Sequence, residues 1–186
     1  MKRKSGIKVL IRDETRSSVS SSLERYRDYL GTKGYLALIN ELEKPLPGAI
    51  RANLLKVVPK SAILKWQRSY EWKIKPISYY PYGWQILSSG VSISRTIEHR
   101  MGEYYVQDAA SMLPVSLMEE RPKNAKLILD MAASPGGKTT QLIDVTGDRT
   151  FIIANDTSAS RLQALRIILQ TWGAMNYAIT NYPGEQ

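Results

Sequence analysis

Leu127-Ile-Leu-Asp-Met-Ala-Ala-Ser-Pro-Gly-Gly-Lys-Thr-Thr140 decides the fold class. Residues 127–129 read as a short buried strand, the small residues after them as a sharp turn, and the stretch from Gly136 as a helix. The aliphatic crowding predicts a central strand of an α/β sheet, covered on both faces. Ala132, Ala133, Gly136 and Gly137 place no large side chain between a ligand and the backbone. Free N–H groups at the start of a helix then favour electron-rich ligand groups. Such a turn lies outside the carboxyl ends of the strands, where open α/β sheets bind their ligands.

Three readings compete for this turn. A phosphate-binding loop needs G-x-x-x-x-G-K-[ST]; Gly137-Lys138-Thr139 supply its end, but Ala132 stands where the first glycine belongs. A dinucleotide fingerprint, G-x-G-x-x-G, is missing. The third is an S-adenosylmethionine site: a strand, a small-residue turn, and an acidic residue after the next strand. That acid is present, because Phe151-Ile-Ile-Ala-Asn-Asp156 reads as a second strand ending in Asp156, placed to accept ribose hydroxyls. A turn that needs small residues only for packing is the plain alternative, and Asp156 weighs against it.

Leu129-Asp-Met-Ala-Ala-Ser-Pro-Gly-Gly-Lys-Thr-Thr-Gln141 closely resembles the cofactor loop of the RNA cytosine-5 methyltransferases, the Sun and nucleolar-protein family. Gly102-Glu-Tyr-Tyr-Val-Gln-Asp-Ala-Ala-Ser-Met-Leu-Pro114 and Ala154-Asn-Asp-Thr-Ser-Ala-Ser-Arg161 resemble the segments on either side of it, in order and at the family's spacing. Weaker likeness extends back through Trp72-Lys-Ile-Lys-Pro-Ile-Ser78 and Ile50-Arg-Ala-Asn-Leu-Leu-Lys56. The resemblance covers roughly residues 45–183 and is nearest to bacterial ribosomal-RNA members. It implies the first half of a Rossmann-like S-adenosylmethionine-dependent methyltransferase domain, preceded by a small α+β module of RNA-recognition type and a helical segment.

The resemblance assigns the cofactor to Ala132, Ala133, Ser134, Pro135, Gly136, Gly137, Lys138 and Asp156. It places Gln107 and Asp108 beside the catalytic cleft, although Asp108 stands equally well as a helix cap. Arg161, one turn along from Ser158, either pairs with Asp156 or points to solvent. The family is expected to attack cytosine C6 with a cysteine thiolate, a strong nucleophile near neutral pH. This sequence has no cysteine, so no catalytic residue is assigned and the chain alone is expected to be inactive. Where the family usually carries an acid that reads the adenine amino group stands Pro183, which offers no side-chain acceptor. The chain is expected to stop after the third strand of the domain. The side of residues 127–131 that a fourth strand would pair is then an open apolar edge, predicting self-association or a missing half supplied separately. A non-catalytic RNA-binding or cofactor-binding protein derived from the family is the alternative.

Composition agrees with a soluble globular class: 43% hydrophobic and 23% charged residues among 186. No apolar run approaches the roughly 18 residues of a membrane span, and a cytoplasmic location is expected. The single histidine, His99, makes a metal centre an unsupported reading. Charge is uneven. Residues 1–100 carry 19 Lys and Arg against 8 Asp and Glu, whereas residues 101–186 carry 7 against 9. A basic front half suggests an anionic partner, RNA under this resemblance, with ribosomal RNA favoured and transfer RNA open.

Three domains are expected: a basic, serine-rich tail at 1–22, an RNA-binding-type domain at 23–100, and a partial cofactor-binding domain at 101–186. Gly31 is expected to separate two helices, the second with an apolar core stripe of Leu36, Ile39 and Leu42. A strand over 49–58, a helix over 61–68 and strands near 73–78 and 84–87 make up the α+β module. There Arg51, Lys56, Lys65, Arg68, Lys73 and Lys75 are interleaved with tryptophans and tyrosines, a pattern in which cations hold phosphates and aromatics stack on unpaired bases. About half of those aromatics are expected in the core. A strand over 103–107, a helix over 109–118, a helix over 158–171 and a strand over 177–180 complete the reading.

Overall fold

The computed structural model describes residues 23–118 and 124–184. The expected tail at 1–22 lies outside the described residues. The chain divides into two compact units, Met1–Leu46 and Pro47–Gln186.

In the first unit, helix α1 (Arg27–Leu42) is kinked at Gly31, whose φ of 66° and ψ of 171° are non-helical. A side chain would resist that positive φ, so the helix breaks where the glycine stands. Tyr35 is buried and bonds Glu24 at 2.9 Å. The expected core stripe is corrected: Leu36 and Leu42 are 59% and 57% exposed. Among the described residues of this unit, no second layer faces the stripe of the kinked helix.

The second unit holds two sheets. Strands β1 (Ala49–Ala52), β2 (Lys73–Pro76), β3 (Gly83–Ser88) and β4 (Tyr104–Val106) form an antiparallel sheet in the order β2-β3-β1-β4. Because β3 is antiparallel to both β1 and β2, those two run parallel with β3 between them. Helix α2 (Pro59–Tyr70) joins them, giving a split βαβ arrangement. Proline opens α2, where the missing N–H removes no helical bond. Ala62, Ile63 and Trp66 of α2 pack onto Ile50, Trp72, Trp84 and Tyr104. The strand expected over 49–58 is corrected, since β1 stops at Ala52. Asn53 ends it: its carbonyl accepts the N–H groups of Lys56 and Val57, and its Oδ1 accepts that of Leu55.

Short helices α3 (Ile97–Arg100) and α4 (Leu113–Ser116) flank β4. A 3-10 turn at Ala110–Met112 stands where the sequence predicted the first turn of one longer helix.

The second sheet contains β5 (Leu127–Asp130), β6 (Phe151–Asn155) and β7 (Tyr177–Thr180), parallel and in that order. Helices α5 (Gly137–Thr146) and α6 (Ala159–Trp172) make the crossovers. Both crossovers step the same way across the sheet, and right-handed connections place both helices on one face. Leu142, Ile143, Ile152, Leu165, Leu169 and Trp172 fill that side. On the opposite face Leu127, Leu129 and Phe151 are 58%, 56% and 43% exposed. The expectation that residues 127–129 are covered on both faces is therefore corrected. One handed pair of helices covers one face, and β5 is an edge strand among the described residues.

Candidate functional site

The turn after β5 is held by the strand beside it. Ala133 N–H donates to the Asn155 carbonyl at 2.8 Å, and Ser134 N–H donates to Asp156 Oδ2 at 3.1 Å. Asp156 Oδ1 accepts the Ser158 N–H at 3.0 Å, fixing the entry to α6. Ser158 itself makes no side-chain cap bond. Arg161 donates from its guanidinium to the Ser134 carbonyl and lies 3.7 Å from Asp156. Its own carbonyl accepts the Ser134 hydroxyl at 2.6 Å. Ser134, Asp156 and Arg161 thus meet as one cluster.

The other turn residues divide by exposure. Ala133, Ser134 and Gly136 are buried, whereas Ala132, Pro135 and Lys138 are exposed. Gly136 has φ +119°, and a Cβ there would come within 3.0 Å of Ile168. The φ favours glycine, and a Cβ would in addition push the Ile168 methyl aside. No side chain caps α5, leaving its first N–H groups directed out of the helix end. Two braces escaped the sequence reading. Asp130 accepts from the Thr139 hydroxyl at 2.6 Å and the Ala132 N–H at 3.4 Å. Asn155 bonds the Thr180 hydroxyl and the backbone N–H and carbonyl of Tyr182. Polar residues closing two adjacent strands were the available signal.

Gln107 and Asp108 do different things. Asp108 is exposed and accepts the Ala110 N–H at 3.3 Å, a cap of the 3-10 turn. Gln107 is buried; its Oε1 accepts from Arg51 at 3.1 Å and its Nε2 donates to the Ser111 carbonyl.

Arg51, expected among the phosphate-holding cations, is fully buried and paired with Asp144. That expectation is corrected: the run Ala49-Ile-Arg-Ala52 is buried at every position, so the arginine enters the interior with its strand. Lys56 spends its ammonium on the carbonyls of Met101 and Thr171, at 2.7 and 2.5 Å. Lys60, Arg68, Lys73 and Lys75 remain on the surface, and Lys65 lies 3.6 Å from Glu98. Of the aromatics, Trp66, Trp72, Tyr80 and Trp84 are core, while Tyr79 and Tyr82 are 39% and 38% exposed.

At the carboxyl ends of the second sheet, on its open face, Leu129, Met131, Asn155, Thr180, Tyr182 and Pro183 line a groove. Pro183, set by the sequence reading against the family's adenine-reading acid, is one of the residues that line this groove. Among the described residues no cluster of side chains could hold a metal ion, and no helix is long and apolar enough to cross a membrane.

Two family models match consecutive parts of the chain: the N-terminal domain of 16S rRNA methyltransferase RsmF over residues 20–109, and 16S rRNA methyltransferase RsmB/F over residues 117–186. Ribosomal RNA small subunit methyltransferase F of Pectobacterium carotovorum is 36% identical over 146 residues, which is 77% of this chain and 30% of that protein. Its counterpart in Shewanella piezotolerans is 37% identical over 147 residues, again 77% of this chain and 31% of that protein. The chain therefore spans under a third of the length of these relatives. A methyltransferase homolog from Pyrococcus horikoshii superposes with a TM-score of 0.75 at 26% identity, covering 87% of this chain and 56% of that one. The structure of NSun6 from Pyrococcus horikoshii with SFG gives 0.73 at 18% identity, over 87% of this chain and 64% of that one, a likeness of fold.

Proposed function

We propose, for a chain that belongs to the RsmB/F family of 16S rRNA methyltransferases, that it forms the methionine-and-ribose half of an S-adenosylmethionine site and an RNA-binding module, within an enzyme that makes 5-methylcytosine. The observation that carries the reading is the bond from Ser134 N–H to Asp156. It brings the small-residue turn and the acid of the next strand to one place, as a nucleoside-binding sheet end requires.

The residues present fit the cofactor. A carboxylate has about four lone-pair sites, and one site on each oxygen of Asp156 is taken by a backbone N–H. One site per oxygen is left for the two ribose hydroxyls. Arg161, 55% exposed, covers the carboxylate, which is itself 4% exposed, and has to release the Ser134 carbonyl for a ribose to reach Asp156. Ala132, Ala133, Gly136 and Gly137 leave the backbone approachable, and the N–H groups of the α5 end attract the methionine carboxylate. Pro135 and Lys138 border the same turn on its exposed side. When bound, S-adenosylmethionine supplies an electrophilic methyl on its sulfonium. Pro183 presents no side-chain acceptor to the adenine amino group, so the groove is expected to bind adenine weakly.

In this reading residues 23–100 supply the RNA-binding-type part and residues 101–186 the partial cofactor domain, with β4 lent by the second to the sheet of the first. Exposed Lys60, Arg68, Lys73 and Lys75 hold RNA phosphates, ribosomal RNA favoured and transfer RNA second. A cytoplasmic location goes with that substrate. The chain contains no cysteine, so attack at cytosine C6 needs a thiolate from elsewhere, and the open side of β5 is where a complementary half or a second copy would pair.

Calorimetric titration with S-adenosylmethionine, alone and with a panel of labelled ribosomal and transfer RNA fragments, tests the proposal. Cofactor binding abolished by Asp156→Ala, together with preference for a ribosomal fragment, is expected. Binding of ATP competed by neither S-adenosylmethionine nor its demethylated product would overturn it.

A further inference from the structure

The two sheets of the second unit are joined by a polar bracket that the cofactor reading leaves unused. The Arg51 side chain is fully buried, and its guanidinium is divided among four acceptors. One terminal nitrogen bonds the Asp144 carboxylate. The other donates to the Gly137 carbonyl at 3.2 Å and the Thr140 hydroxyl at 2.6 Å, while Nε donates to Gln107. The Thr140 hydroxyl in turn donates to the Gly136 carbonyl at 2.7 Å. Asp144 is completed by the Trp172 indole N–H at 3.0 Å and the Leu54 N–H at 3.2 Å.

The direction of these bonds matters. Arg51 holds the Gly137 carbonyl directly and the Gly136 carbonyl through Thr140. In a trans peptide the N–H of the following residue points opposite to the carbonyl. The Gly136 carbonyl also accepts the Thr140 N–H at 2.9 Å, the first bond of the helix. With the carbonyls of Gly136 and Gly137 held along α5 by the helix and by the Arg51–Thr140 pair, the N–H groups of Gly137 and Lys138 point out of the α5 end. An ion pair kept for stability alone has no need of this. Replacing a buried pair by apolar residues of similar volume is often neutral or stabilising. The planar five-donor fork suits the task; a lysine ammonium does not reproduce its geometry.

We propose that Arg51, contributed by the first sheet, is a positioning residue for the ligand-binding turn of the second, holding the peptide planes of residues 136–138 in the orientation that receives the cofactor. The inference rests on the reading of that turn as an S-adenosylmethionine site. It also gives the first sheet a role in cofactor binding besides any contact with RNA.

The test uses the full chain and sinefungin, a stable analogue of the cofactor, with calorimetry and amide hydrogen exchange. Arg51→Met with Asp144→Leu removes the pair without leaving a lone charge, and Thr140→Val keeps the pair but removes the hydroxyl that links the guanidinium to the Gly136 and Gly137 carbonyls. In the double variant, sinefungin affinity is expected to fall at least tenfold and exchange at residues 136–139 to quicken, with a melting temperature lowered by the Trp172 and Leu54 N–H groups that lose Asp144 as acceptor. Thr140→Val is expected to lower affinity several-fold with unchanged melting. Parent-like affinity and exchange in both variants would overturn the positioning role while leaving the cofactor reading intact. A parent chain that binds no sinefungin overturns the cofactor reading, and this inference with it.

Discussion

Asp156 at the end of β6 accepts the backbone N–H of Ser134, 22 residues earlier in the turn after β5, at 3.1 Å. The contact locks the edge strand to its neighbour and leaves the carboxylate facing the turn. Asp156→Ala strips the Ser134 and Ser158 N–H groups of their acceptor. Bonds to a charged group contribute about 1.5–3 kcal/mol each, so losing the two should lower stability by about 3–6 kcal/mol and cofactor affinity by roughly tenfold or more. Urea unfolding and calorimetry measure the two losses separately; unchanged cofactor affinity would remove Asp156 from the site.

Asp144 makes stability depend on pH. Burial pushes its carboxyl up to about 7 from the ordinary 3.8, against the lowering pull of Arg51, the Trp172 indole and the Leu54 N–H. The folded value lies above the unfolded one, so the folded chain keeps the extra proton across that interval. Its contribution is fully present below about pH 4 and is lost as pH rises through about 7. The urea midpoint of the parent, measured against Asp144→Asn, should decline between those limits and level off above them. A parallel pair of curves would refute the assignment.

Gly102 precedes β4 with φ +68°, and a Cβ there would sit 2.4 Å from the Thr171 carbonyl oxygen at the end of α6. Its own carbonyl accepts the Asn53 side-chain amide at 2.8 Å. Gly102→Ala combines left-handed strain with a backbone clash and should cost about 2–4 kcal/mol. At about 2–4 °C per kcal/mol for a domain of this size, calorimetric melting resolves the change easily.

The open side of β5 should drive association. Leu127 and Leu129 are more than half exposed on an edge strand, and lysines on such edges discourage pairing. Light scattering on a concentration series should show the parent growing in mass and Leu127→Lys with Leu129→Lys remaining monomeric. A parent that stays monomeric throughout would count against pairing through this edge.

Lys73 and Lys75 are exposed on β2, the outer strand of the first sheet. If they meet RNA phosphates, Lys73→Glu with Lys75→Glu should weaken binding at low salt and flatten its salt dependence. The slope of log affinity against log salt should shrink by about 0.7 for each lost contact to single-stranded RNA. Filter binding across a salt series reads both. An unchanged slope would move the RNA surface to another face.

Much of the second sheet was legible before any coordinates. The strand Tyr177–Thr180 and the helix Ala159–Trp172 fall within a residue of the 177–180 and 158–171 read from apolar periodicity. The turn at 132–138 announced itself through small residues that only a close approach or a special φ requires. Less legible were features that depend on partners far along the chain. Arg51 read as one more surface cation because Asp144 is 93 residues away, and a chain-local pattern carries no trace of that pairing. Leu36 and Leu42 show the converse failure: a correct helical stripe does not say whether another layer comes to cover it.

The sequence by itself determined the strand–turn–helix with its acid one strand later, because backbone conformation and hydrophobic spacing are written in neighbouring residues. It also determined the lack of a cysteine nucleophile, which no folding can alter. Only the tertiary structure decided that, among the described residues, one face of the second sheet is open and that an arginine of the first sheet grips the start of α5. Both follow from long-range geometry: handed crossovers put two helices on one side, and a buried charge must find its acceptors wherever the packed chain brings them.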